Sequence, residues 1–219
     1  SKNTSPAVAA ASASPAMADT THLAAAAPVD AASDHDGSDA ATAAAAALHG
    51  LFADEWEHRK RENPFLATRV GDSRYDDRLP EVSPAAHARR DAANRRFLER
   101  LEGIDRTLLD EADKVNYDVF AFVLRHRIEG APFRDWRIPL NSDSGFYMAL
   151  NYAVRAQPFE DAQDYEAWLG RLRAFPAFVE QHMANMHQGL ADGFTLPAEI
   201  LDEVAPVIET IANVPTEES

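Results

Sequence analysis

The stretch DKVNYDVFAFVLRHRIEG, residues 113–130, decides the fold. Val115, Val119, Phe120, Val123, Leu124 and Ile128 recur at three- and four-residue spacing, the period of a helix face and not the alternation of a half-buried strand. Asp110 and Asp113 stand ahead of it as caps for the free backbone N–H groups, and Gly130 follows its last turn. Just upstream, Ser83 followed by Pro84 is a strong helix start, because Ser supplies the cap and Pro sits where its missing N–H does no harm. That helix is expected to run to Glu102, burying Ala86, Ala93, Phe97, Leu101 and Ile104, with Gly103 as a left-handed terminus. Two long helices joined by so short a link pack antiparallel.

Further out the pattern continues. A first helix is expected from Ser38 or Asp39 through an Ala tract to Glu62, stopped by Asn63 and Pro64. Leu48, Leu51, Phe52 and Trp56 form its apolar stripe, with Asp54, Glu57, His58 and Arg61 facing away. The segment PFLATRVGDSRYDDRLP, residues 64–80, has no helical period and reads as a long loop. Residues 131–140 read as extended, a possible edge strand, since Pro132 and Pro139 disfavour helix. A polar turn and a short apolar helix from Gly145 to Val154 come next. Asp161 and Asp164 cap a helix through Tyr165, Trp168, Leu169 and Leu172; Pro176 opens another that ends at Gly193, and Pro197 opens the last. The expected architecture is all-α: a helical body of six or seven helices over residues 39–219, with at most one short strand pair. Residues 1–38, nearly all Ala, Ser, Pro, Thr and Asp, read as a disordered tail.

Charge narrows the partners. The chain of 219 residues carries a formal net charge of −15. Residues 1–50 hold one basic and five acidic groups, 51–137 hold 17 and 18, and 138–219 hold 3 and 13. The clusters Arg59–Arg61 and Arg89–Arg96 are interleaved with carboxylates, so the summed field repels phosphate and no nucleic-acid partner is expected. With 0 Cys, neither a disulfide framework nor a thiolate metal site is available. No apolar run reaches the length of a membrane span. A start at Ser1 with a Ser/Ala/Pro/Thr-rich tail is read as the mark of a removed targeting segment, which implies an exported protein: a periplasmic or outer-envelope lipoprotein, tethered through a lipid anchor upstream.

Chemical motifs are sparse. A helical zinc site needs two His at i and i+4 beside a Glu, so that both imidazoles face one ion. His182 and His187 are five apart and diverge on a helix, with Gln181 and Gln188 as neighbours instead of a base. His58 and His126 read as exposed helix-face groups. The paired acids Asp76/Asp77, Asp110/Glu111, Glu160/Asp161 and Asp202/Glu203 read as caps or solvated carboxylates. Ser142 or Ser144 could serve as a nucleophile only because the NSDSG turn precedes a helix, and such turns are more often caps. No metal and no catalytic residue are expected within the chain.

Four segments together carry a resemblance: LFADEWEHRKRENPFLATRVGDSRYDDRLPEVSP (51–84), DKVNYDVFAFVL (113–124), FRDWRIPLNSDSG (133–145) and PFEDAQDYEAWLGRLRAFPAFVEQHMANMHQGLADGFTLP (158–197). In this order and spacing, from about Leu48 to Thr210, the chain resembles the N-terminal half of the bacterial family catalogued as domain of unknown function 885. The resemblance implies a helical, zinc-metallopeptidase-like hydrolase. Its metal motif, a His-Glu pair followed by Pro-Gly-His, would lie downstream and does not occur here. It implies zinc in the full-length protein, the protein's own C-terminal half and a peptide-like substrate as partners, and a cleft-shaping role for these residues. By position, Asn141, Ser142, Asp143, Ser144, Gly145 and Phe146 come nearest to substrate. The alternative is a helical binding or assembly module without catalysis.

Overall fold

The computed structural model of the chain describes residues 31–141 and 144–214. Among them are seven α-helices, a few short 3-10 turns and no sheet: α1 (Ala31–Glu62), α2 (Pro64–Arg69), α3 (Pro84–Glu102), α4 (Glu111–Gly130), α5 (Ala149–Ala153), α6 (Ala162–Ala191) and α7 (Ala198–Ala212). The all-α expectation holds. No described helix is long and apolar enough to cross a membrane. Most of the expected tail, residues 1–30, lies outside the described residues.

α3 forms where its signals stand. Ser83 accepts a hydrogen bond from the Ala86 N–H, Pro84 occupies the first turn, and Ala86, Ala93, Phe97 and Leu101 are buried. Gly103 ends the helix in the ordinary right-handed region, not the left-handed one expected, and its N–H bonds back to Glu99 and Leu101. In α4 the Asp110 carboxylate caps the Asp113 N–H. These two helices pack on each other and on α1. Leu48 and Leu51 of α1, Phe97 and Leu101 of α3, and Ala121 and Leu124 of α4 close the core, with Phe52 edge-on to Phe120 at 5.1 Å. Burial of each such leucine contributes roughly 1.5–3 kcal/mol.

Three expectations about these helices are corrected. α1 begins at Ala31, so Ser38 and Asp39 lie inside it and not at its cap. Alanine has the highest helix propensity and carries the helix upstream, while Thr42 donates back to the Ser38 carbonyl. His58 does not face solvent fully: its ring is half-buried 5.6 Å from that of Phe97. On α4, Val115 and Val119 do not reach the core; they are 60% and 57% exposed, with Phe122 69% exposed beside them. The apolar period of α4 runs around more of the helix than α1 and α3 cover.

Segment 64–80 is not a plain loop. Asn63 caps the six-residue α2, accepting from the Leu66 N–H, and Asp72 caps a 3-10 turn over Ser73–Tyr75. Arg171, fully buried on α6, holds it in place. Its guanidinium donates to the Arg78 carbonyl at 3.0 Å, to the Thr68 hydroxyl and to Gln157 Oε1, and lies 3.6 Å from the buried Asp76 carboxylate. Burial lowers the Arg171 pKa and Asp76 works against that shift. Gly170, beside Arg171, is the close-approach position, because a Cβ there would come within 3.1 Å of the Asp77 carbonyl oxygen.

Residues 131–140 form no edge strand. They make two 3-10 turns, Ala131–Phe133 and Asp135–Arg137, joined at Arg134 in the left-handed region (φ 51°). The nearest thing to a strand pair is one isolated antiparallel bridge between Leu140 and Gly145. The two helices expected on either side of Pro176 are a single helix, α6, with Pro176 inside it. An interior proline costs about 3 kcal/mol, which the packing of Arg171, Phe178, Asn185 and Gly189 along one side offsets. Gly193 is left-handed (φ 69°) and ends this segment as expected.

Candidate functional site

Of the segment singled out by position, 141–146, the structure describes Asn141 and 144–146, next in the chain to Leu140, which lines a groove. Asn141 Oδ1 accepts from both the Ser144 N–H (2.8 Å) and the Ser144 hydroxyl (3.0 Å), and the Asn141 N–H donates to the Ser144 carbonyl. Among the described residues, the Ser144 hydroxyl therefore meets the Asn141 side-chain amide, which is a capping arrangement. Ser142 and Asp143 lie outside the described residues. Gly145 is required by space, since a Cβ would fall 2.8 Å from Leu140 Cβ and 2.6 Å from the Tyr147 ring. Phe146 leaves the turn to stack on His182 at 4.6 Å.

Beside this turn, Leu140, Met183, Met186, Leu190, Phe194 and Leu201 line an apolar groove of about 330 Å³ between α6 and α7. Arg137 closes one end, with Nη1 2.6 Å from the Asp192 carboxylate and its guanidinium 4.5 Å from the Phe194 ring centre. Gly189 lets the chain pass there, because a Cβ would come 2.7 Å from the Phe194 carbonyl oxygen. α7 carries Leu201, Val204, Val207 and Ile208 on its apolar side, and of these only Val204 is buried. The sequence placed these apolar residues on helices, and nothing in it distinguished a helix with a partner from one without.

A second, polar groove of about 450 Å³ lies between α1, α3, α4 and α6. Glu55 is its buried carboxylate, gripped by Arg127 at 2.8 Å and Arg59 at 3.1 Å; Glu62 meets Arg90 at 3.3 Å. The signal for Glu55 was available: it follows Leu48 and Leu51 on the buried stripe of α1, where an unpaired carboxylate is costly. Its arginines come from distant helices, and that pairing was not legible.

Two imidazoles sit at the interface of α3, α6 and the 131–148 segment. His87 stacks on Trp136 at 4.9 Å, and His182 packs between Phe146 and Phe178. His87 Nε2 and His182 Nδ1 are buried without a hydrogen-bond partner. Burial, aided by Arg90, lowers the His87 pKa to about 4; burial, aided by His87, does the same to His182. Neutral, aromatic-packed rings suit a core. His182 is fixed between phenyl rings and His187 is five residues further along, so this pair does not fit a zinc ion, and no group of three or more His, Asp or Glu side chains among the described residues is arranged to hold one. The paired acids divide as caps and ties: Asp110 and Asp161 cap α4 and α6, and Asp76 is buried on Thr68. Chemically, the site can bind an apolar segment next to a polar turn.

No curated protein matches the chain. The model of the family described as "Bacterial protein of unknown function (DUF885)" matches residues 64–219, from α2 through the buried Arg171 tie and both sides of the apolar groove. The chain belongs to that bacterial family.

Proposed function

We propose that this chain is the N-terminal, cleft-shaping part of an exported zinc-metallopeptidase-like hydrolase whose metal motif lies in residues outside it. The observation that carries the reading is the bare apolar surface. α7 presents Leu201, Val207 and Ile208 outward, α4 presents Val115, Val119 and Phe122, and the groove beside α7 is lined with methionine and leucine. Surface of this kind, on two faces, suits coverage by further parts of one domain. In this reading the protein's own C-terminal half covers the α6–α7 groove, zinc belongs to that half, and the turn at residues 141–146 borders the cleft for a peptide-like substrate. A lipid anchor upstream would tether the protein in the periplasm or outer envelope.

A second reading, a binding or assembly module without catalysis, is favoured by one feature: among the described residues, one core cluster is built from α1, α3, α4 and the link between α3 and α4, with Leu109 of that link buried in it. Metal content and peptidase activity of this chain and of a longer polypeptide carrying the His-Glu and Pro-Gly-His motif separate the two. The hydrolase reading expects about one zinc per longer chain with zinc-dependent hydrolysis, and neither property in the 219 residues alone. Absence of both zinc and hydrolysis from the longer polypeptide would support the binding module. Stoichiometric zinc with cleavage by the 219-residue chain itself would refute the assignment of the metal to other residues.

A further inference from the structure

We propose that the concavity between the start of α3 and the double turn at 131–137 binds a small amino-carboxylate. The ligand would be of amino-acid or dipeptide size, carrying one carboxylate beside an N–H or ammonium group. This site is separate from the α6–α7 groove and does not depend on the hydrolase reading.

The concavity measures about 380 Å³, and His87, Asp91, Arg95, Arg134, Trp136 and Gln188 are among its lining residues. A volume near the low end of ligand pockets fits a ligand of that size. Arg134 is the unusual residue. Its backbone is left-handed (φ 51°, ψ 48°), the only positive φ outside glycine among the described residues. Glycine or asparagine adopts that conformation with less strain. The turn itself is held by its neighbours: Arg137 Nε and the Arg137 N–H both donate to the Arg134 carbonyl. Arg134 is exposed and borders the concavity, so its guanidinium is within reach of a ligand there.

Charge supplies the second observation. Arginines lining the other grooves are tied to carboxylates: Arg59 and Arg127 to Glu55, Arg90 to Glu62, Arg100 to Asp54, Arg125 to Glu102 and Arg137 to Asp192. Among the described residues, neither Arg95 nor Arg134 meets a carboxylate within ion-pair distance. Two untied guanidiniums on one concavity, with the Asp91 and Asp135 carboxylates beside it, set cations next to anions. Guanidinium is the donor best matched to a carboxylate. Asp91 on the same lining, with Asp135 close enough for its charge to act on His87, provides an acceptor for the ligand's N–H or ammonium group. Trp136, stacked 4.9 Å from His87, gives the aliphatic part of the ligand a flat surface to lie on.

The test is an NMR titration of the full chain, following the Trp136 indole N–H, with L-alanyl-L-alanine, L-alanyl-L-alaninamide, inorganic phosphate and propylamine. The dipeptide is expected to saturate the shift, and the amide, phosphate and amine to bind at least roughly tenfold more weakly, as loss of a charge-assisted hydrogen bond implies. Arg134→Gly and Arg95→Gln are each expected to weaken the dipeptide about tenfold or more, while Arg155→Gln, on a distant exposed arginine, leaves it unchanged. Arg134→Gly also removes the left-handed strain, so its melting temperature is expected to rise or stay level, which separates lost binding from lost folding. The proposal is overturned by no shift with dipeptide up to about 50 mM. It is equally overturned by unchanged affinity in Arg134→Gly and Arg95→Gln, or by phosphate binding as tightly as the dipeptide.

Discussion

α3 and α7 make an instructive pair. α3 is dense in charge, with Arg89, Arg90, Asp91, Arg95, Arg96, Glu99, Arg100 and Glu102 along it, yet it buries Ala86, Ala93, Phe97 and Leu101 and packs Leu98 partly against the core. α7 is far more apolar and more sharply two-sided, yet Leu201, Val207 and Ile208 are exposed while Val204 is buried. The amphipathic pattern tells which side of a helix wants a partner; it says nothing of whether that partner is in the same folded unit. The α3 end buries the side chains that fill its core, and the α7 end leaves three of its apolar side chains bare.

The largest effect is expected where the two ends are joined. Arg171→Met removes the guanidinium that ties residues 64–80 to α6 and leaves Asp76 buried beside an apolar side chain. Breaking a buried pair in this way costs about 3–5 kcal/mol. Urea denaturation measures it, and a loss under about 1 kcal/mol would mean that the loop is held by other contacts. The comparison is sharpened next by matched leucines. Leu101→Ala is expected to cost about 2–5 kcal/mol by opening a cavity. Leu201→Ala, on exposed α7, is expected to cost less than about 0.5 kcal/mol. Equal costs would erase the distinction between the closed and the open end.

A pH titration probes the seam. His87 and His182 have folded pKa values lowered from 6.5 to about 4. As pH falls, the unfolded chain takes up these protons first. Stability from the two rings is therefore complete above pH 6.5 and is lost progressively toward pH 4. Denaturant midpoints at pH 7.0, 6.0 and 5.0 measure the slope, and His182→Leu is expected to flatten it; an unchanged slope would mean that the ring is solvated. A modest effect is expected at the α4 cap, where Asp110→Ala removes the bond to the Asp113 N–H. Its cost is expected to be about 1 kcal/mol in the melting curve.

How much of this was legible in the sequence follows from how local each signal is. The caps Ser83, Asp110 and Asp161 act on N–H groups two or three residues away, and all three stand where the chain placed them. Errors came where a distant contact outweighs a local preference. Pro176 should end a helix, but buried neighbours on both sides of it keep α6 whole. Residues 64–80 lack a period because Arg171, about a hundred residues along, organises them. Val115 and Val119 share the helix period of Leu124, and only the placement of α1 and α3 decides which side is covered. At the candidate site, the bonds from Ser144 to the Asn141 side chain are local enough to be readable. The groove beside it was not, because Leu140 and the methionines of α6 meet only through tertiary packing.

Native-state hydrogen exchange tests the central claim most directly, comparing this chain with the longer polypeptide. The account predicts that α3 and α4 are protected near the global limit in both. It also predicts that α7 and the groove side of α6 exchange orders of magnitude faster in this chain and become protected when the remainder of the protein is present. Protection of α7 equal to that of α3 in this chain alone, or no gain in the longer one, would contradict it.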